Sequence, residues 1–241
     1  MKNQYFGDRN DMFKYDLALT LVTEVNALNG FTFVPMLTSD DGRTDGNLTD
    51  YPTLWKHRPL LHDFLMGCVN DPARRTVTSL RDYMRAHERG IPYHPHMDAD
   101  LLTSTNRATY FNSISPEALS ASVILIDTDN GFEVGARSMG GDRVHKYFKY
   151  AELADLYGTM GDTSVLLAYQ HWAHVNRDEA FSAVTRHVHA VLSDALPPVC
   201  ISSGVIGFFA LAKNAELLKD VRRVMDEYSA RTGFAVYPRS E

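Results

Sequence analysis

The chain has 241 residues, 44% hydrophobic and 22% charged, the balance of a globular protein with a substantial core. Lys and Arg number 24 against 30 Asp and Glu, a net charge of −6, which excludes a generally basic nucleic-acid coat but not a local basic groove. No apolar run approaches the ~20 residues of a membrane span, Met1-Lys-Asn-Gln-Tyr lacks a signal-peptide core, and Cys68 and Cys200 form no metal pattern, so a reduced, cytoplasmic chain without a membrane partner is expected.

The first helix is expected from Asn10 or Asp11 as N-cap, because Phe13, Leu17, Leu21, Val25 and Leu28 recur on one helical face and Asn29-Gly30 stops it. Asp8 and Asp11 suit a helix N-terminus on dipole grounds; Lys14 in the first turn does not, so a nearby acid or a bound phosphate should compensate it. Phe31 to Leu37 reads as a strand weakened by Pro35. The polar loop 38–46 follows, and its three acids make it a poor phosphate cradle.

Leu54 to Val69 and Val77 to Gly90 read as helices. Arg81, Arg85 and Arg89 form one basic stripe on the second, either a solvated face or a phosphate-contacting one. His94 and His96 alternate as metal ligands do, but the intervening Pro95 and the lack of Cys partners argue against zinc.

Val123 to Ile126 is a continuous apolar, β-branched run, the pattern of a buried strand in a parallel sheet. It ends in Asp127-Thr-Asp129-Asn130-Gly131, which puts two carboxylates where open α/β sheets collect their ligands. The segment 137–150 is basic and aromatic, with Arg143, His145, Lys146 and Lys149 suited to a nucleic-acid backbone or to an ordinary surface loop. Ser164 to Tyr169 is a second buried strand, ending in Tyr169-Gln170-His171. A helix over 177–193, a strand pair around Gly204, a helix lined by Ala215, Leu218, Val221, Met225 and Tyr228, and a closing strand near 233–238 complete the chain. With no internal repeat and no linker, a single Rossmann-like α/β domain with a mostly parallel central sheet flanked by helices is expected over 1–241.

Gly7, Asp11 and Lys14 in a G-x-x-x-D-x-x-K pattern, Gly42-Arg43 closing the polar loop, and Asp127 at the end of the central strand together resemble the bacterial large-subunit rRNA adenine-N6 methyltransferases and other Rossmann-like amino-methyltransferases. The "QY-GD-ND" start and "D-DNG" loop are also similar to uncharacterised bacterial proteins. The methyltransferase resemblance implies S-adenosylmethionine as cofactor, Arg43 in its loop, and Asp127 gripping a target amino group. The departures fall on the chemistry: Met36 and Asp40 stand for the acid and first glycine of the cofactor loop, and Thr128-Asp129-Asn130 replaces Pro-Pro-Tyr.

Those departures hinder a methyl donor and supply what cofactor-free hydrolysis needs, a carboxylate to activate water or stabilise a sugar cation. The expectation is a glycosylase-like hydrolase excising a base, modified or not, from nucleic acid, DNA ahead of RNA, in repair or anti-phage defence, with no cofactor or metal. Asp127 or Asp129 would do the chemistry, His171 would assist the leaving group, and Lys14 would support the acids. Asn130 and Gln170 would read the base, Arg143, His145, Lys146 and Lys149 would hold the flanking phosphates, and Asp8, Asp11, Tyr169 and Arg43 would complete the substrate-binding set. The alternatives are a methyltransferase using S-adenosylmethionine, a magnesium nuclease on Asp8, Asp11, Asp127 and Asp129, and a non-catalytic nucleotide sensor.

Overall fold

Period-two alternation along the strands decides the layering. The computed structural model describes residues 1–42, 44–51, 58–133, 141–172 and 175–239, with residues 45 and 141–143 described by backbone alone. The strands are β1 (Gly30–Pro35), β2 (Tyr93–Pro95), β3 (Ser122–Asp127), β4 (Gly131–Phe132), β5 (Tyr147–Phe148), β6 (Val165–His171), β7 (Val199–Ser202), β8 (Ile206–Ala212) and β9 (Ala235–Tyr237). Seven join one sheet in the order β2-β1-β3-β6-β8-β7-β9, while β4 and β5 pair separately. The first four are mutually parallel; β8, β7 and β9 continue the sheet by antiparallel pairing. The fold is Rossmann-like α/β.

Phe31, Phe33, Val123, Leu125, Val165, Leu167 and Phe208 point to one face, into a core shared with α1 (Arg9–Glu24), α2 (Pro59–Val69), α3 (Leu80–His87) and α7 (Ala215–Thr232). Val34, Ile124, Ile126, Leu166, Ala168 and Phe209 point to the other, against α4 (Arg107–Tyr110), α5 (Tyr150–Thr159) and α6 (Arg177–Val191). Both faces of β3 are therefore apolar, which is why it reads as an unbroken hydrophobic run.

Three expectations need correction. The N-cap of α1 is Asp8, whose carboxylate accepts from the Asn10 and Asp11 N–H groups at 2.8 and 2.9 Å, so Asn10 and Asp11 already lie in the first turn. The helix ends at Glu24, and Val25 and Leu28 complete the apolar stripe from the connection to β1. The stripe is also too narrow a description, since Met12, Tyr15, Ala18 and Leu19 are buried with Phe13 and Leu17 beneath α2 and α7. The expected start of the second helix at Leu54 lies outside the described residues; α2 is seen from Pro59. Among the described residues no helix is long and apolar enough to cross a membrane.

Candidate active site at the carboxyl edge of the sheet

Asp127 shares the parity of Val123 and Leu125 and so turns toward the face that α1 covers. There Lys14 Nζ donates to Asp127 Oδ2 at 2.6 Å and to Asp11 Oδ1 at 2.6 Å, with all three side chains buried. Burial works against the Lys14 charge, but the two carboxylates outweigh it and raise its pKa further above the lysine range. The ammonium is thus a fixed cation. With Asp8 as N-cap, Lys14 is the sixth residue of α1 and lies in the second turn, not the first as expected, so the two carboxylates and not the helix dipole account for its pairing. Asp11 Oδ2 also accepts from the Gly7 N–H at 3.1 Å, and its carboxyl is raised by burial against the pull of Lys14.

Asp8 is the most displaced carboxyl of the group. Burial first, then the charge of Asp11, pushes it up to about 8, against the lowering effect of its capping bonds and of Lys14. Both capping bonds fall on Oδ1, which leaves Oδ2 for a ligand. On Asp127, likewise, Lys14 engages Oδ2 and leaves Oδ1.

Asp129 is built differently. The Met1 amino group lies 2.5 Å from Oδ1, Thr38 Oγ1 donates to Oδ2 at 2.8 Å, and Lys2 and Lys146 stand 3.9 and 4.0 Å from Oδ2. Burial pushes this carboxyl up, but the Met1 amino group and its bonds pull harder, so it lies below the usual carboxylate range. With both oxygens engaged, Asp129 clamps residues 1–2 and 38 over the sheet edge. Sequence reading passes over Met1, Lys2 and Thr38, because nothing local in residues 1–5 marks them as neighbours of a loop more than a hundred positions on.

These groups line a pocket of about 560 Å³ together with Tyr169, Asn130, His171 and Lys146. Tyr169 has the parity of Val165 and Leu167 and so projects to the α1 side. Its hydroxyl has no hydrogen-bond partner among the described residues, and burial beside Asp127, Asp8, Asp129 and Asp11 raises its pKa well above the tyrosine range, so it stays a neutral donor. His171 is exposed at the rim.

The remaining expected residues are not gathered there. Gln170 has the opposite parity, and its amide bonds the Phe132 N–H at 3.1 Å and the His171 carbonyl at 2.9 Å, bracing the loop rather than facing a base. His145 and Lys149 line a separate cavity of about 390 Å³ beside Arg107, away from the acids. Arg107 forks onto Glu152 at 2.6 and 2.8 Å and donates to the Val144 and Tyr147 carbonyls, both at 2.7 Å, which fixes that segment against α5. Arg43 and the Arg143 side chain lie outside the described residues. His96 is structural: its Nε2 meets the Tyr110 carbonyl at 2.7 Å, and burial lowers its pKa. Among the described residues no cluster of three or more His, Cys, Asp or Glu is arranged to hold a metal ion.

The loop after β1, where a methyl donor would dock in the resembling family, is occupied by the chain itself. Thr38 N–H donates to the Met1 carbonyl at 2.8 Å, Lys2 pairs with Asp41 at 2.5 Å, and Gln4 bonds both Asp40 and Asp41. Two acids covered by residues 1–5 do not fit a donor cradle. Comparison with protein-family models, curated proteins and solved structures finds no match to this chain.

Proposed function

We propose that this protein is a cofactor-independent hydrolase of the N-glycosidic bond, acting on a base extruded from nucleic acid, DNA ahead of RNA. The observation that carries the reading is the pairing, in one pocket, of Asp8, protonated near neutral pH, with Asp127, held in an ion pair by Lys14. A protonated carboxyl facing an ion-paired carboxylate is the usual division of labour between acid and base.

In this reading Asp8 Oδ2 gives its proton to the leaving base as the bond from the sugar carbon to the base nitrogen breaks, the electron pair going to the base. Asp127 Oδ1 faces the sugar cation, accepts a proton from the attacking water, and the hydroxide equivalent bonds to the sugar carbon. Lys14 keeps Asp127 oriented, and the Tyr169 hydroxyl donates to an acceptor on the base. Asp129, with both oxygens engaged, holds the pocket wall, and His171 at the rim meets the substrate from outside. The volume of about 560 Å³ suits a nucleoside-sized group.

The test is mass analysis of free bases, with alkali-induced strand scission, after incubation with normal and modified DNA and RNA. Base release lost in both Asp8→Asn and Asp127→Asn is expected. Methyl incorporation, or strand cutting that depends on added metal, in place of base release overturns the reading in favour of a methyltransferase or a nuclease.

A further inference from the structure

The basic stripe foreseen on the helix that precedes β2 belongs to a groove of about 500 Å³ at the free edge of the sheet, separate from the acidic pocket. Arg81, on α3, forks onto Asp98, a fully buried carboxylate, and is thereby fixed. Arg85 follows one turn later, and Arg89 lies just past the helix end with its Nε on the Arg85 carbonyl at 3.2 Å. Four residues of helix rise by ~6 Å, so Arg81 and Arg85 stand about that far apart along one line.

Asp98 neutralises Arg81, but neighbouring acids leave the charge of Arg85 and Arg89 largely uncancelled. Glu88 turns inward, accepting from Arg58 at 3.1 Å and from the Tyr83 hydroxyl at 3.0 Å. Asp82 is 3.8 Å from Arg85, but both are well exposed, and water screens the pair. The floor is apolar, with Met84 and Ile91, and it includes the buried Tyr93 hydroxyl, which has no hydrogen-bond partner among the described residues. A polar group withheld from water without a partner marks a place where a ligand has something to satisfy.

We propose that this groove binds the phosphate backbone of a single-stranded nucleic acid, leading it toward the pocket at the carboxyl edge. The inference rests on the reading of the substrate as nucleic acid. Arginines in line over an aromatic and aliphatic floor suit spaced phosphates with bases laid beneath them. An acidic peptide is disfavoured, because it would gain most by extending the sheet at β2. The bonds from Phe31 N–H to the Pro92 carbonyl and from His96 N–H to the Phe33 carbonyl turn residues 93 and 95 outward, and Pro95 has no N–H to offer there. Arg81 stands at the correct end of the track: Asp98, which holds it, follows β2 on the edge that also carries Asp127. Only β1 separates β2 from β3, roughly 10 Å at two strand spacings.

The test is fluorescence anisotropy of the full chain with a labelled single-stranded DNA oligonucleotide across a salt series. Arg85→Glu with Arg89→Glu is compared with an equal charge reversal on α7, Lys219→Glu with Arg223→Glu. The stripe variant should weaken binding by about tenfold or more and reduce the salt slope by about 1.4, two phosphate contacts' worth, while the α7 variant does neither. Equal weakening by both variants, no binding by the unaltered chain, or displacement by polyglutamate as readily as by DNA overturns the proposal. Base release is read separately. If it fails while stripe-dependent binding persists, the hydrolase reading falls and the track stands; if release survives without stripe dependence, only the track falls.

Discussion

Lys14 and Asp127 are separated by 113 positions in the chain and by 2.6 Å in the fold. The contact ties the second turn of α1 to the carboxyl end of β3, and with Asp11 it makes a buried carboxylate–ammonium–carboxylate array. Such an array is costly to desolvate and is stable only when complete.

Removing its centre should therefore be severe. Lys14→Met leaves two buried carboxylates without a counter-charge, and a loss of about 3–5 kcal/mol of unfolding free energy is expected. Adding Asp127→Asn to that variant should restore part of the stability but no base release. Urea denaturation of the two variants measures both, and additive losses would show that the residues do not act as a unit.

Asp8 makes a pH-dependent prediction with a definite sign. Its carboxyl titrates at about 8 in the fold, against an ordinary value of 3.8, so the native state binds the extra proton between these limits. Its stabilising contribution is complete below about pH 4 and is lost progressively as pH rises to about 8. Asparagine caps a helix about as well as aspartate. Asp8→Asn should thus raise Tm relative to the unaltered protein at pH 8 and above, leave it little changed near pH 4, and abolish base release. A Tm difference independent of pH would refute the protonated-acid assignment.

Gly131 sits at φ +103°, and a Cβ there would lie 2.5 Å from Gln170 Oε1 and 2.9 Å from the Gln170 Cα. The amide can swing aside, but the backbone of β6 cannot. Gly131→Ala should destabilise by about 1–3 kcal/mol and, by shifting the loop that carries Asp127 and Asp129, lower base release beyond the stability loss. Thermal melts paired with activity on the folded fraction separate the two effects.

Away from the pocket, Asp16 is fully buried on α1, where Arg58 Nε donates to it at 2.8 Å and the Tyr228 hydroxyl at 2.8 Å. Tyr228→Phe removes one donor to this carboxylate and should cost about 1–3 kcal/mol. Base release per folded molecule should be unchanged, because the bond ties α1 to α7 rather than to the pocket. A drop in release equal to that of Asp127→Asn would mean that α1 transmits packing changes to the site.

Local pattern was enough for the layers and for the edge where the acids sit. The apolar run 123–126 and its stop at Asp127-Thr-Asp129-Asn130-Gly131 are signals that hydrophobicity and turn chemistry write within a few residues, and β3 lies between β1 and β6 accordingly. That Lys14 needs an acidic partner was legible, although with Asp8 as N-cap it lies in the second turn of α1, beyond the turn over which the dipole acts. Which acids answer it was not, because that depends on α1 lying over the face to which Asp127 points. Parity along a strand separates Tyr169 from Gln170 into opposite faces, but only the packed helices show which face holds the pocket. The clamp of Asp129 on Met1, Lys2 and Thr38 and the raised carboxyl of Asp8 arise from burial and long-range charge. Those quantities exist only once distant segments have been brought together and water has been removed from between them.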